Sequence, residues 1–267
     1  MKRVGFQACD QLKELFRHRE LLANMIYREI HGRYRQSMLG VTWTFLKPLF
    51  TVSIITLVFS VFVRIPSDDI PYPLFALGAL LPWSLFSTAL ASGVASITGH
   101  SNLVSKVYFP REILPLSAIF ASVIEFLITL SILIGLMIFY KVEITWNVLY
   151  VFLILPIEIL FVMGLAFLLS MFNVWYRDIT HGMGILMQLW MYLTPVVYPY
   201  SMVPLAYRHV YKLNPLVGIV EGFRSALIKG IAPDLDLLAV SFLVSVITFI
   251  VGYGVFKAHE FEFADVI

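Results

Sequence analysis

Residues 33–40 read Arg33-Tyr34-Arg35-Gln36-Ser37-Met38-Leu39-Gly40 and pass without a linker into an apolar run that continues to residue 63. Ahead of that run lie eight of the chain's 19 Lys and Arg residues: Lys2, Arg3, Lys13, Arg17, Arg19, Arg28, Arg33 and Arg35. A dense cationic segment abutting a long apolar one is the pattern of a chain that enters a membrane from its cytoplasmic side.

Composition points the same way. The chain has 267 residues, 60% hydrophobic and 13% charged, against roughly 25% charged in soluble domains. Cutting the apolar runs at turn and charge signals leaves six segments, 38–63, 72–96, 112–140, 146–173, 182–198 and 235–257. A crossing helix needs about 20 residues at 1.5 Å rise each, and 182–198 is the shortest of the six. The expected fold is therefore an all-α membrane protein with six transmembrane helices. It divides into a cytoplasmic or interfacial segment, 1–36, and a transmembrane domain, 37–267. With the N-terminus inside, 12 Lys and Arg fall on the cytoplasmic side and six outside, with Lys47 left inside the first span. That asymmetry predicts a multi-pass protein with both termini cytoplasmic. The first apolar run is too long for a signal-peptide h-region. A net charge of +2 gives no argument for nucleic acid, and the lone Cys9 excludes an intrachain disulfide or a cysteine-based metal cluster.

Residues 10–36 predict an amphipathic helix. Leu12, Leu15, Phe16, Leu22, Met25, Ile26, Ile30 and Tyr34 recur at helical spacing, while Lys13, Arg17, Glu20, Arg28 and Arg35 fall mostly on other faces. Such a helix suits the headgroup boundary, although packing on the rest of the protein would give the same pattern. Between the second and third spans, Thr98-Gly99-His100-Ser101-Asn102 and Lys106-Val107-Tyr108-Phe109-Pro110-Arg111 bound a short helix stopped by Pro110. A short helix with a cation and two aromatics fits a protein groove; a solvated turn is the alternative. Residues 199–234 are too long for a turn and too apolar for a soluble loop. Segments 202–213 and 216–229 read as two short helices split at Asn214-Pro215 and ended by Gly230. They predict a re-entrant helical hairpin between helices five and six, a form tolerated where protein or water surrounds it. Two helices flat on the outer surface are the alternative.

Signs of catalysis are absent. No G-x-x-x-x-G-K-[ST] loop, H-E-x-x-H or G-x-S-x-G occurs, and the six His are scattered. No catalytic residue, metal site or cofactor is expected in this chain. Glu125 and Glu158 fall inside predicted spans, where a carboxylate invites either a functional reading or a role tying helices together. Aromatics make up 15% of the chain. Most suit interfacial belts, but sugars stack on aromatic faces, and Trp43, Phe50, Trp190 and Tyr192 are the candidates to line a glycan channel.

Several of these stretches together resemble the ABC-2 type permeases that export polysaccharide. The resemblance runs through Arg33 to Gly40 with Trp43 and Lys47-Pro48-Leu49, then Lys106 to Arg111 with Leu114-Pro115. It continues through Tyr176-Arg177-Asp178-Ile179, Tyr192-Leu193-Thr194-Pro195-Val196 and Tyr198-Pro199. Leu213-Asn214-Pro215, Phe223-Arg224 and Glu262-Phe263-Ala264-Asp265 close the set. It implies the transmembrane subunit of an ABC transporter in the bacterial inner membrane. That subunit is a homodimer working with two copies of a separate cytoplasmic ATPase, which holds ATP and Mg. O-antigen permeases, which carry lipid-linked (undecaprenyl pyrophosphate) polysaccharide, resemble the chain most. Teichoic-acid or capsule exporters of the same family are alternatives, and a carrier driven by an ion gradient through Glu125 and Glu158 is a further rival.

The resemblance also implies an interfacial N-terminal helix, a coupling helix in the first inner loop and gate helices between spans five and six. On that footing Arg33, Arg35, Lys47 and Arg177 are candidates for the lipid headgroup at the cytoplasmic mouth. His100, Lys106, Tyr108 and Arg111 are candidates for ATPase coupling, and Asn214, Pro215, Phe223 and Arg224 for the outer gate.

Overall fold

The computed structural model describes residues 17–34, 38–40, 42–67 and 70–266. Cys9, Arg35 and the first part of the predicted amphipathic helix lie outside them. All regular structure among the described residues is helical. Helix α1 is Arg19–Tyr34, with Glu20 in its first turn and His31 and Arg33 in its last, each sign matched to the helix dipole. Its apolar stripe faces protein. Met25 is buried, with Leu21 and Leu22 beside it, in a cluster that includes Ile97, Val104, Phe109 and Phe263.

Helix α2, Thr42–Ile55, continues as a π-helical stretch, Thr56–Phe62. Pro48 removes one backbone donor from it, and Arg64 with φ 58° turns the chain away. Within Thr42–Ile55 only Thr44 and Val52 are buried, so α2 stands at the edge of the bundle. Helix α3, Tyr72–Gly99, is the opposite case. It starts behind Pro71, carries Pro82 internally, and is buried along most of its length. The short α4, Ser101–Lys106, follows directly, then α5, Ile113–Phe139, with Glu112 at its N-cap. Helix α6, Val151–Trp175, is entered through the 3-10 turn Trp146–Tyr150, and α7 is Asp178–Tyr192. Helix α8, Pro215–Phe223, runs on as a π-helical stretch, Arg224–Lys229. Helix α9, Leu235–His259, continues through the turn Glu260–Glu262 into the single-turn α10, Phe263–Val266.

Among the described residues, five helices are long and apolar enough to cross a membrane: Thr42–Phe62, Tyr72–Gly99, Ile113–Phe139, Trp146–Trp175 and Leu235–Glu262. The sixth span expected at 182–198 falls on α7, which has 15 residues. Helix ends at Tyr192 because Pro195 supplies no N–H and disfavours helical backbone at Thr194. Of the predicted 199–234 hairpin, the second half is helical as α8. The first half is broken by Pro199 and Pro204 into the 3-10 turns Tyr200–Met202 and Leu205–Tyr207 and one helical turn, Arg208–Tyr211.

Helices α6 and α9 meet backbone against backbone. A Cβ on Gly252 would strike the Gly164 carbonyl, and one on Gly164 would lie 2.6 Å from the Phe249 nitrogen. Two backbones this close exclude any side chain between them, the arrangement by which helices associate where lipid already solvates apolar surface. Helix α8 is buried on every face: Pro215 through Val220, Gly222 and Phe223 are all inside. The π-helical stretch ends at Gly230 with φ 64°. Its carbonyl accepts from Thr145 Oγ1 at 3.0 Å and Asn147 Nδ2 at 2.6 Å, tying this end to the start of α6.

Gly252→Val should therefore destabilise the detergent-solubilised protein by about 1–3 kcal/mol, the usual cost of overpacking. Gly135, in α5, has open space where a Cβ would sit, so Gly135→Ala should be neutral or stabilise by up to about 1 kcal/mol. Thermal unfolding of the two variants against the wild type checks the contrast.

Candidate functional site

A cavity of about 670 Å³ opens between α2, α3 and α5, with Arg33 of α1 and Met191 of α7 on its walls. Hydroxyls line it densely. Ser84, Ser87, Thr88 and Ser92 come from one face of α3, where the spacing of three and four residues stacks them, and Ser122 and Thr129 come from α5. Several donate their protons to carbonyls of their own helix: Ser84 to Leu81 at 2.9 Å, Ser122 to Ala118 at 3.0 Å and Thr129 to Glu125 at 3.1 Å. A hydroxyl that donates in this way keeps acceptor capacity on its oxygen, so the wall offers hydrogen-bond acceptors. Trp43 and Trp83 add aromatic surface, and Lys47 adds a cation.

Arg33 organises one end of this cavity. Its guanidinium pairs with Glu125 at 2.8 Å and donates to Ser92 at 3.1 Å and Ser122 at 3.2 Å. The last turn of α1 is thereby fastened to α3 and α5. Side-chain exposures of 20% and 22% for Arg33 and Glu125 leave the pair only partly buried at the cavity wall. The sequence marked Glu125 as an intramembrane acid with no visible partner. Its partner is 92 residues away in the chain and on an element outside the spans, beyond the reach of any periodicity argument. The hydroxyl row was readable in principle, as small polar residues at one-face spacing within a span.

Of the four channel candidates, only Trp43 lines this cavity. Phe50 is exposed on α2, and Tyr192 is exposed at the end of α7. Trp190 packs edge-on against Phe86 at 5.1 Å and Phe161 at 6.0 Å. Among the headgroup candidates, Arg33 and Lys47 meet at the cavity, Arg177 is exposed ahead of α7, and Arg35 lies outside the described residues. Glu158 is fully buried in α6, and neither carboxyl oxygen has a hydrogen-bond partner among the described residues.

The coupling candidates cluster around α4. Val104 and Phe109 are buried and hold the segment down, which leaves Ser105, Lys106, Val107 and Tyr108 exposed, Tyr108 by 83%. His100 Nδ1 donates to the Ser96 carbonyl at 2.8 Å, and its Nε2 lies 3.8 Å from Glu29 of α1. Arg111 points elsewhere: its guanidinium donates to the Glu260 carbonyl.

The outer-gate candidates form a junction between α7 and α8. Asn214 caps α8 by accepting from the Leu216 N–H at 3.2 Å, accepts from Trp190 Nε1 at 3.2 Å, and donates to the Leu193 carbonyl at 3.0 Å and Thr194 Oγ1 at 3.1 Å. Trp190 and Asn214, assigned to different sites by sequence, are thus bonded to each other. The Pro215 carbonyl accepts from Ser241 of α9 at 2.8 Å, and Phe223 lies edge-on to Phe126 at 5.8 Å. Arg224 is 0% exposed. It pairs with Glu221 at 2.6 Å, donates to the Pro195 and Val196 carbonyls at 2.9 and 3.1 Å, and sits 3.8 Å over the Phe75 ring. The non-helical stretch after α7 is pinned to α8 and α3 by this side chain.

Residues 20–228 match the family described as ABC-2 type transporter. Over 257 residues the chain is 32% identical to the O-antigen export system permease protein RfbA of Myxococcus xanthus, covering 95% of this chain and 98% of that protein. It is 25% identical to an O-antigen export system permease protein RfbA of Klebsiella pneumoniae, over 93% of this chain and 95% of that one. It is 24% identical to the polysialic acid transport protein KpsM of Escherichia coli, over 88% and 92%.

The Arg33–Glu125 pair predicts a measurable coupling. Arg33→Ala and Glu125→Ala should each cost about 1–2 kcal/mol, below the range for a fully buried pair because both side chains keep solvent contact. The double variant should cost less than the sum, and chemical or thermal unfolding of the four proteins in a double-mutant cycle checks it.

Proposed function

The chain belongs to the ABC-2 type transporter family, and from that premise we propose that it is the membrane permease of an ATP-driven polysaccharide exporter, moving a lipid-linked glycan of O-antigen type across a bacterial inner membrane. The observation that carries this reading is the match along nearly the whole length of this chain and of the O-antigen permease of Myxococcus xanthus. The cavity is in keeping with it, since tryptophan faces stack on sugar rings and a wall of hydroxyl acceptors takes hydrogen bonds from sugar hydroxyls.

In this reading a separate cytoplasmic ATPase binds ATP and Mg, because this chain carries no P-loop. The functional unit is a homodimer with two ATPase copies. The outward face of α2 and of the π-helical stretch after it, with Phe50, Ile54 and Leu57 exposed, supports a second copy standing beside it. Both termini are cytoplasmic, as the distribution of Lys and Arg supports. Helix α7, extended by residues 193–198, makes the sixth crossing. Helix α1 lies at the cytoplasmic boundary, with Tyr27 and Arg28 exposed. Helix α8 is the protein-enclosed half of a re-entrant element, the condition under which such a segment is tolerated.

The phosphates of the lipid headgroup meet Arg33 and Lys47 at the cavity, and Arg35 and Arg177 are the two further cations the family resemblance offers for that role. Since Arg33 is held by Glu125, an arriving phosphate competes with that carboxylate. The glycan follows past Trp43 at the cavity, and Phe50, Trp190 and Tyr192 are the further aromatic candidates along its way. ATP-driven closure of the ATPases presses on His100, Lys106 and Tyr108 at α4. The α7–α8 junction at Asn214, Pro215, Phe223 and Arg224 bounds the outer exit.

The test is a strain lacking this gene, with surface glycan and lipid-linked glycan measured together. Expected is loss of the surface polymer with build-up of the lipid-linked form inside, both reversed by the wild-type gene. Lys47→Glu and Trp43→Ala should restore export about tenfold less well, the scale of a lost charge-assisted bond or stacking contact. Normal surface glycan in the deletion strain would overturn the assignment. Export that persists without ATP but stops when the proton gradient collapses would point to an ion-driven carrier.

A further inference from the structure

We propose that the C-terminal end of the chain belongs to the coupling machinery, with Lys257 as the positioning residue that locks the ATPase-docking segment to α5 and α9. The inference rests on the reading that α4 and the residues after it receive the ATPase.

Lys257 sits in the last turn of α9. Its ammonium group contacts Glu112 at 2.8 Å and both carboxyl oxygens of Glu260 at 2.9 and 3.1 Å, engaging all three of its donors. Glu112 is 1% exposed and stands at the N-cap of α5. Arg111 closes the cluster through the Glu260 carbonyl. Two cations and two carboxylates therefore balance locally. The anion also sits at a helix N-terminus and the cation at a helix C-terminus, where each dipole favours it.

The position of the cluster gives it a mechanical role. Glu112 and Arg111 follow the exposed edge of residues 105–108 through only Phe109 and Pro110, both buried. On the other side, the chain leaving Glu260 turns back so that α10 packs against α4. Phe263 is fully buried there, 5.3 Å from the Phe256 ring and 5.8 Å from that of Trp175. It shares one apolar cluster with Val104 and Phe109, the two anchors of the docking segment. A force applied at Tyr108 therefore reaches α5 through Glu112, and reaches α9 through Lys257 and Phe263. Without Lys257, Glu112 is left buried without its cation, and the tail is no longer tied to the start of α5. The docking segment then moves under load without carrying the spans with it.

The experiment uses the complex of this chain with its ATPase, comparing Lys257→Met, Glu112→Gln, Lys257→Arg and Tyr108→Ala. Assembly is read by size exclusion, ATP hydrolysis in proteoliposomes, and export as surface glycan in the complemented deletion strain. Lys257→Met and Glu112→Gln should assemble and hydrolyse ATP within about twofold of wild type while export per ATP falls about tenfold, in the range of ordinary coupling free energies. Lys257→Arg should restore the ratio. Should Lys257→Met fail to assemble, the near-isosteric Glu112→Gln decides alone. Export per ATP unchanged in these variants, or ATPase and export falling in proportion, overturns the inference. If that happens while Tyr108→Ala lowers export per ATP, the docking reading survives. If Tyr108→Ala changes nothing, the docking reading itself is lost.

Discussion

The backbones of α6 and α9 meet at Gly164 and Gly252 with no side chain between them, and the rest of the bundle is arranged around that contact. In water, apolar helices are driven together by leaving solvent. In a bilayer they are already in an apolar medium, so close backbone approach and interhelical hydrogen bonds take over. Helix α9 uses the same device again one end further along. Gly218 of α8 lies against the Leu237 carbonyl and the Ser241 hydroxyl of α9, and Ser241 in turn donates to the Pro215 carbonyl. Because α8 is seated this deeply, its own polar ends can hold other parts. Asn214 takes the end of α7, and Arg224 takes the stretch that follows it.

Three cations within the fold each meet a carboxylate. Arg33 finds Glu125, Arg224 finds Glu221, and Lys257 finds Glu112 and Glu260. The three pairs differ in what surrounds them. The Arg224 guanidinium is sealed by carbonyls and a phenyl ring, so it acts as a fixed tie. Lys257 joins the ends of two long helices. Arg33 faces a cavity and is the most exposed of the three cations. The same interaction type thus occurs sealed in the core, between helix ends and at a cavity wall.

Much of the architecture was legible in the sequence because lipid imposes simple rules. Among the described residues, five helices long and apolar enough to span coincide with apolar runs, α4 ends before Pro110, α8 begins at Pro215 behind its Asn214 cap, and Gly230 closes the π-helical stretch. Local chemistry decides each of those points. Sequence pattern and structure part where prolines crowd together. Pro195, Pro199 and Pro204 cut short α7 and divide the first half of the expected hairpin into single turns, although hydropathy there suggested continuous helix. Arg111 shows a second weakness. Its neighbours in the chain, Lys106 and Tyr108, face outward, whereas it turns to the tail, and a stretch of sequence without regular periodicity does not say which way each side chain points.

By itself the sequence determined that the chain is a helical membrane protein, which segments are apolar enough to span, and that no nucleotide loop accompanies them. These are properties of composition and short-range spacing, and the bilayer reads them residue by residue. Tertiary structure alone decided the pairings: Arg33 with Glu125, Trp190 with Asn214, Lys257 with Glu112, and glycine against glycine in α6 and α9. The physical reason is that each joins elements far apart in the chain. Their meeting depends on how whole helices cross, and no local pattern of residues encodes a crossing.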